Sequence, residues 1–281
     1  MKPFVEHRQF HVDRALRHVG GHSHGEPIAP GLAVTLNFHP DMLASGIPVI
    51  ELLARDGAYR SQFETRTSNG GLTVYRGGER WAWESRIFGG AYDDADPTLR
   101  PKYGALNHRH DPVGGSPRFG SCHLRLNAAV VARASFCYPD SHLDPNAFGV
   151  AERMALIPFA DANRSKVDPL DDYIEAHIHG RLVIAHDIEA IVLDPCYRGT
   201  GVERAARDLG CPVEWHGGFR LSAGRLGDCE QYRNTIAAKA VAAMSRDGFV
   251  TPLEIAAARL AEVDHQTLNW VWHCIARFGR K

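Results

Sequence analysis

Glu175-Ala176-His177-Ile178-His179 is the stretch of this 281-residue chain whose residue types and spacing could do chemistry. Side chains alternate along a strand, so Glu175, His177 and His179 share one face while Ile174, Ala176 and Ile178 share the other. Apolar burial would then fix one side and present a carboxylate and two imidazoles on the opposite side, next to Gly180, where the strand can end. A carboxylate held in this way can stabilise positive charge that develops in a bound substrate, or join the imidazoles around a metal. A solvated polar face with no role is the alternative reading of the same alternation.

The 16 histidines include three close pairs, His22/His24, His108/His110 and His177/His179. Zinc accepts such donors, but a site needs three or four converging ligands and the spacing supplies only pairs, so no metal is assigned. His22 and His24, in a glycine-rich linker, are expected to be solvated. Two polar patches stand out, residues 62–71 (QFETRTSNGG) and 100–107 (RPKYGALN). Their glycines allow close backbone approach to a ligand, and Ser68, Asn69 and Arg100 offer donors to a phosphate or amide, although Asn69-Gly70 is also ordinary turn chemistry. No GxGxxG opens a helix, and neither a Walker-type lysine loop nor a GxSxG elbow is present, which argues against a Rossmann dehydrogenase, a P-loop NTPase and an α/β-hydrolase.

The elements that must position these residues follow from periodicity. Val12, Leu16 and Val19 mark an N-terminal helix, followed by a linker over Gly20 to Gly31. Leu32 to Phe38 reads as a strand, and Pro48 to Ala54 as a helix stopped by Gly57. From Gly70 to Asn127 glycine and turn formers predict strand and loop, with strands at Leu72 to Tyr75, Tyr103 to Asn107 and Cys122 to Leu126. Further strands are expected at Val130 to Tyr138, Tyr173 to His179, Ile188 to Leu193 and Phe219 to Leu221, with a short helix at Val202 to Asp208. The end of the chain is helical: Asp228 to Arg246, a capping box at Thr251-Pro252-Leu253-Glu254, and a helix after Asp264 that buries Leu268, Val271, Ile275 and Phe278. Residues 1–31 are therefore read as helix and linker, 32–224 as an α/β core, and 225–281 as a helical segment packed on it.

Composition limits the function classes. With 44% hydrophobic residues the chain can bury a sizeable core, and a net charge of -1 argues against a general duplex nucleic-acid binder. Its six cysteines form no CxxC pair, and nothing approaches the ~20 apolar residues of a membrane span or the pattern of a signal peptide. A cytoplasmic protein without a membrane partner is expected.

Several segments resemble known proteins. Thr35-Leu36-Asn37-Phe38-His39-Pro40-Asp41, the 100–107 patch, Ser116-Pro117-Arg118-Phe119-Gly120-Ser121 and residues 175–180 look like a bacterial family known only as a domain of unknown function, over Leu32 to Leu221. A remoter similarity is to ADP-ribosyltransferases, particularly DNA-modifying toxins of the DarT type. Those proteins open with a strand ending in His and a helix of the form Ile-Leu-x-x-Gly; here Val34 to His39 and Leu52-Leu53-Ala54-Arg55-Asp56-Gly57 stand in those places. They continue through a Tyr-bearing strand, a Ser-Pro strand and a Phe-x-x-x-Asp turn, matched by Tyr103, Ser116-Pro117 and Phe136 to Asp140. They end on Ala-Glu-Phe-Leu-Val and a short strand, where this chain has residues 175–179 and Ile188 to Leu193. Here the Glu is followed rather than preceded by Ala, the glycine-rich middle is enlarged, and Arg66 and Arg100 are the candidates for the toxin arginine.

The resemblance implies an α+β fold of ADP-ribosyltransferase type, with a split, mixed, largely antiparallel sheet and a C-terminal helical segment. It also implies NAD as a substrate rather than a redox cofactor. Cleavage of the nicotinamide–ribose bond leaves an oxocarbenium-like ribose, and Glu175 would stabilise it in the transition state. His39 would bind a ribose hydroxyl or the adenosine side, Tyr103 would stack on the nicotinamide, and Ser68, Asn69, Arg100, Ser116, Arg118 and His177 complete the expected NAD site. The Asp161 to Asp172 loop corresponds in position to the loop that selects the acceptor. That acceptor is left open among base, protein side chain, small molecule and water, and a nucleic-acid acceptor is expected to be single-stranded. The competing readings are a metal-dependent hydrolase using His177 and His179 with Glu175 or Asp140, and a non-catalytic nucleic-acid or protein binding module.

Overall fold

The computed structural model describes residues 2–66 and 72–280. Eight strands carry the fold: β1 (Val34–Phe38), β2 (Lys102–Leu106), β3 (Cys122–Leu126), β4 (Ala134–Tyr138), β5 (Ala147–Val150), β6 (Ile174–Ile178), β7 (Ile188–Leu193) and β8 (Val213–Trp215). They lie in the order β8-β7-β3-β1-β2-β6-β4-β5, with only the β7–β8 pair parallel. The class is α+β with a mixed, mostly antiparallel sheet, as expected. The eight strands form one hydrogen-bonded sheet rather than two separate ones, but its centre is thin. β1 and β2 are paired only through Val34↔Leu106 and Thr35↔Ala105, whereas β2 and β6 pair along their full length.

Antiparallel partners point to the same side of a sheet, so the register sorts the side chains into two faces. One face is apolar: Leu36, Leu124, Phe136, Ala176 and Ile191 lie in its core. It is covered by Ile50 and Leu53 of helix α2 (Val49–Asp56), Leu156 and Ala160 of α4 (Leu156–Asn163) and Ala205 and Ala206 of α5 (Gly201–Arg207). The other face carries Thr35, Asn37, Tyr103, Cys137, Glu175 and His177. It too is covered. Ala15 and Val19 of α1 (Lys2–Gly20), Trp83 and Ile87 of α3 (Glu79–Ile87), and Phe88 and Tyr92 pack over it. The alternation in residues 174–178 thus separates two buried faces, and the solvated-face alternative does not hold: Glu175 is 5% exposed and His177 is 0% exposed.

The C-terminal helices α6 (Leu226–Tyr232), α7 (Thr235–Met244), α8 (Pro252–Leu260) and α9 (His265–Phe278) form a second apolar cluster with Val113, Leu170 and Phe219. Their ends follow the sequence signals. Thr251 and Glu254 close a capping box, and Asp264 accepts from the Thr267 N–H. Among the described residues no helix is long and apolar enough to cross a membrane.

Three expectations need correction. Leu72 to Tyr75 is not a strand, and α3 follows it instead. The strand expected from Val130 starts at Ala134, because Ala128–Val131 turns as a helix. The start of the Asp161 to Asp172 loop is the last turn of α4.

Candidate active site

β6 places Glu175 and His177, and its neighbours complete the surroundings. Cys137 and Ser135 of β4 stand opposite Glu175 and His177 on one side, and Ala105 and Tyr103 of β2 do so on the other. Both Glu175 oxygens are engaged. Oε2 accepts from the Ser141 N–H (3.3 Å) and Oγ–H (3.0 Å), just after β4, and Oε1 lies 3.1 Å from His177 Nε2.

One set of tautomers satisfies a chain leading away from the carboxylate. Tyr92 O–H donates to His179 Nδ1 (2.8 Å), His179 Nε2–H to Ser135 Oγ (2.8 Å), Ser135 O–H to His177 Nδ1 (3.1 Å) and His177 Nε2–H to Glu175 Oε1 (3.1 Å). Both imidazoles are neutral in this arrangement. Burial, and then the nearby Arg80 charge, pushes His177 down to about 3, and burial with His177 beside it holds His179 well below its ordinary value.

α3 supplies the charges over this face. Glu84, fully buried, accepts from Tyr103 O–H (2.7 Å) and Arg100 Nη1–H (2.6 Å), and Arg100 also donates to the Tyr92 carbonyl (2.8 Å). The Arg80 guanidinium lies 4.4 Å from the Tyr103 ring centre and donates to Ser141 Oγ (3.2 Å), the same hydroxyl that binds Glu175. A flat cation therefore already sits between an aromatic ring and a carboxylate. Burial raises the Glu175 pKa, and Arg80 is the largest opposing influence. Burial likewise raises that of Glu84, opposed first by Arg100.

The expected site residues are brought together in part. Glu175, Tyr103 and His177 meet, with the Tyr103 and His177 rings 5.6 Å apart, and Arg100 joins them through Glu84. His39 follows directly on β1 and continues the Thr35, Asn37 alternation. Its ring packs edge-on against Trp272 of α9 at 4.6 Å, and burial, then Arg259, lowers its pKa to about 3. Register puts Glu175 level with Ala105 and Thr35, and Tyr103 two residues further along, whereas His39 comes four residues after Thr35, past the end of β1 and of its pairing with β2. Glu175 and Tyr103 thus come from two paired neighbouring strands, and His39 from the end of the next one in the sheet.

Ser116 and Arg118 do not converge on Glu175. The Ser116 N–H donates to Asn37 Oδ1 (3.3 Å), Arg118 pairs with Asp171, and both residues belong to a loop laid against β1. Gly120 makes that approach possible, since a Cβ there would lie 2.0 Å from the Phe38 carbonyl carbon. Ser68 and Asn69 lie outside the described residues. His22 and His24 are exposed, as expected, and His108/His110 lie apart from His177/His179. The hydrolase reading takes His177 and His179 as ligands, and each has both ring nitrogens hydrogen-bonded, so a metal would have to displace those partners. The trio that does converge among the described residues is Cys137, Glu175 and His177, whose ligand atoms lie within 4.8 Å of one another. Burial, and then the Glu175 charge, holds the Cys137 thiol well above its ordinary pKa, so a metal would have to displace its proton.

Sequence reading missed Arg80, Glu84 and Ser141. Only Ser141, next to the expected Phe136 to Asp140 turn, carried any local signal. A family model described as "Protein of unknown function (DUF3626)" matches residues 33–160 and 156–278. No curated protein matches the chain.

Proposed function

We propose that this chain, which belongs to the DUF3626 family, cleaves NAD at the nicotinamide–ribose bond and passes ADP-ribose to an acceptor. The observation that carries the reading is that Glu175 and Tyr103 share one face of the neighbouring strands β6 and β2 while His39 ends the next strand, β1, the order in which ADP-ribosyltransferases of the resembled type present His, Tyr and Glu. The thin β1–β2 seam fits a sheet that opens around a ligand, as the split sheet of that fold does.

On this reading Glu175 offsets the positive charge that grows on ribose as the bond to nicotinamide lengthens, an interaction stronger in the transition state than before it. Tyr103 supplies the stacking surface for the nicotinamide ring and His39 the contact for the far ribose. Arg80 occupies the place of a flat cation over Tyr103, and the nicotinamide ring of NAD is itself a flat cation. Incubation of the protein with NAD, with and without candidate acceptors, tests the reading through release of nicotinamide. No release under any condition would end it.

Two effects of Arg80→Ala follow. NAD should bind more tightly, because a competing cation has gone, and the acid limb of turnover should move to higher pH. The sign of the second is fixed by Glu175: burial already raises its pKa and Arg80 opposes the rise, so removing the guanidinium keeps the carboxyl protonated to higher pH. Calorimetry and a pH–rate profile read the two separately. Weaker NAD binding would instead make Arg80 a ligand contact.

A second reading rests on the Cys137–Glu175–His177 trio, which could hold a divalent metal for hydrolysis. Metal content separates the two. Undiminished NAD binding after chelation supports the transferase reading, and one tightly held zinc or manganese per chain supports the hydrolase.

A further inference from the structure

A cleft of about 370 Å³ opens at the edge of the polar face, on the far side of Glu175 from Tyr103 and His39. Asn107 and Tyr173 line it, and they follow the Ala105/Glu175 pair by two residues on β2 and precede it by two on β6, so its rim is roughly 7 Å along the strands from the carboxylate. Four arginines line it, Arg109, Arg164, Arg277 and Arg280, against two acids, Asp111 and Asp172. The acids are already taken: Arg280 pairs with Asp111 (2.7 Å) and Arg109 with Asp172 (2.8 Å). Arg164 lies 3.9 Å from Asp172 and is 71% exposed, and among the described residues Arg277 has no ion-pair partner, so the cleft carries positive charge in excess.

Two buried polar atoms point the same way. The Arg109 Nε–H has no acceptor, and His108 Nε2, on a side chain only 5% exposed, has no hydrogen-bond partner because its nearest acid oxygen is 3.7 Å away. Unpaired buried polar groups are costly, and a small shift of these two lining side chains toward the cleft would let a ligand with acceptor oxygens and a hydroxyl satisfy them. Guanidinium groups match the paired oxygens of phosphate in particular.

We propose that this cleft binds a phosphate group and that the ADP-ribose acceptor is a phosphate-bearing molecule held there, entering on the side of Glu175 opposite to NAD. The acceptor role rests on the NAD-cleaving reading, whereas the phosphate site does not. A mononucleotide and a single strand share this chemistry.

The experiment is calorimetry on the full chain at two salt concentrations with inorganic phosphate, an equimolar mixture of the four deoxynucleoside 5′-monophosphates, a 5′-phosphorylated mixed-sequence tetranucleotide and the same tetranucleotide without its terminal phosphate. It is repeated on the Arg164→Ala/Arg277→Ala protein, whose altered positions are exposed and away from the core. The phosphate-bearing probes should bind, and the double variant should lose at least about tenfold in affinity for them and part of the salt dependence, with nicotinamide release into water unchanged. Equal affinity for the monophosphates and the tetranucleotides identifies a mononucleotide acceptor, and tighter binding of the tetranucleotides identifies a strand. No binding of any phosphate-bearing probe, or equal binding by the two proteins, overturns the site. Phosphate binding without nicotinamide release under any condition overturns the acceptor role alone, together with the NAD reading, and leaves the phosphate site standing.

Discussion

Nicotinamide release by the Glu175→Gln protein is expected to fall about a hundredfold or more while NAD affinity and the fold persist. Gln retains the shape and one carbonyl oxygen, which can keep the Ser141 hydrogen bonds now made to Oε2. Its amide can meet His177 Nε2 if the His177–Ser135–His179 chain reverses the direction of its hydrogen bonds, since each member can either donate or accept. What disappears is the negative charge. In a site shielded from water a preorganised charge aimed at the reacting centre is worth roughly 3 kcal/mol or more, about a hundredfold in rate, whereas a hydrogen bond to a ribose hydroxyl survives the change. The loss should therefore fall on single-turnover cleavage and not on the calorimetric affinity. If Glu175 served only to anchor Ser141 and His177, cleavage would change by less than about twofold, and near-wild-type turnover would remove the main support for the transferase reading.

Local pattern made much of the sheet legible. Cys122–Leu126 and Ile188–Leu193 occur with the boundaries that periodicity marks, because short apolar runs bounded by turn residues have few alternatives. Helix α3 was not legible. Its inward side is Arg80, Trp83, Glu84 and Ile87, a helical spacing in which half the buried residues are charged, so no apolar stripe signals it and its glycine-rich flanks read as loop. The site shared the same limit. Alternation puts Glu175 and His177 on one face, but it cannot tell water from a second layer of helices, and the helices that cover the face come from residues 2–20 and 79–87. The partners that tune Glu175 are Arg80 on one of those helices, placed by tertiary packing alone, and Ser141 at the start of the short 3-10 turn after β4. His39 was legible as the end of the first strand, but its Trp272 neighbour lies in the last helix.

That double covering has a consequence for stability: the protein should unfold cooperatively as the solution is acidified below about pH 5.5. His123, His177 and His179 are all at most 3% exposed. Burial, then His216, pushes His123 down to about 3, and burial, then Arg80, does the same to His177, while His179 is held well below its ordinary value. A folded-state pKa below the unfolded one means that the unfolded chain takes up protons the folded chain refuses. The stability is therefore fully present above about pH 6.5 and is lost as pH falls from there toward 3. Each such imidazole costs roughly 1.4 kcal/mol per pH unit, so the three together cost roughly 4 kcal/mol per unit. Two units below 6.5 would consume a sum comparable with the whole stability of a typical domain, roughly 5–15 kcal/mol.

Glu84, Glu175 and Asp140 act in the opposite sense, because burial raises their pKa values and the folded chain takes up those protons first. They soften the slope only between their raised and ordinary values, and protonating Glu84 and Glu175 leaves Arg100 and Arg80 without their counter-charges in the interior. The imidazoles keep acting down toward pH 3, below the ordinary carboxylate range where the acids have stopped acting, so they decide the direction at the acid end. Urea unfolding followed by circular dichroism from pH 8 to pH 4 should show a midpoint that is flat above about pH 7, falls steeply below about 6 and reaches zero denaturant between about pH 4 and 5.5. A midpoint that stays constant from pH 7 to pH 5 would mean that these imidazoles are not held neutral in the core, and the tautomer chain that orients Glu175 would have to be abandoned with them.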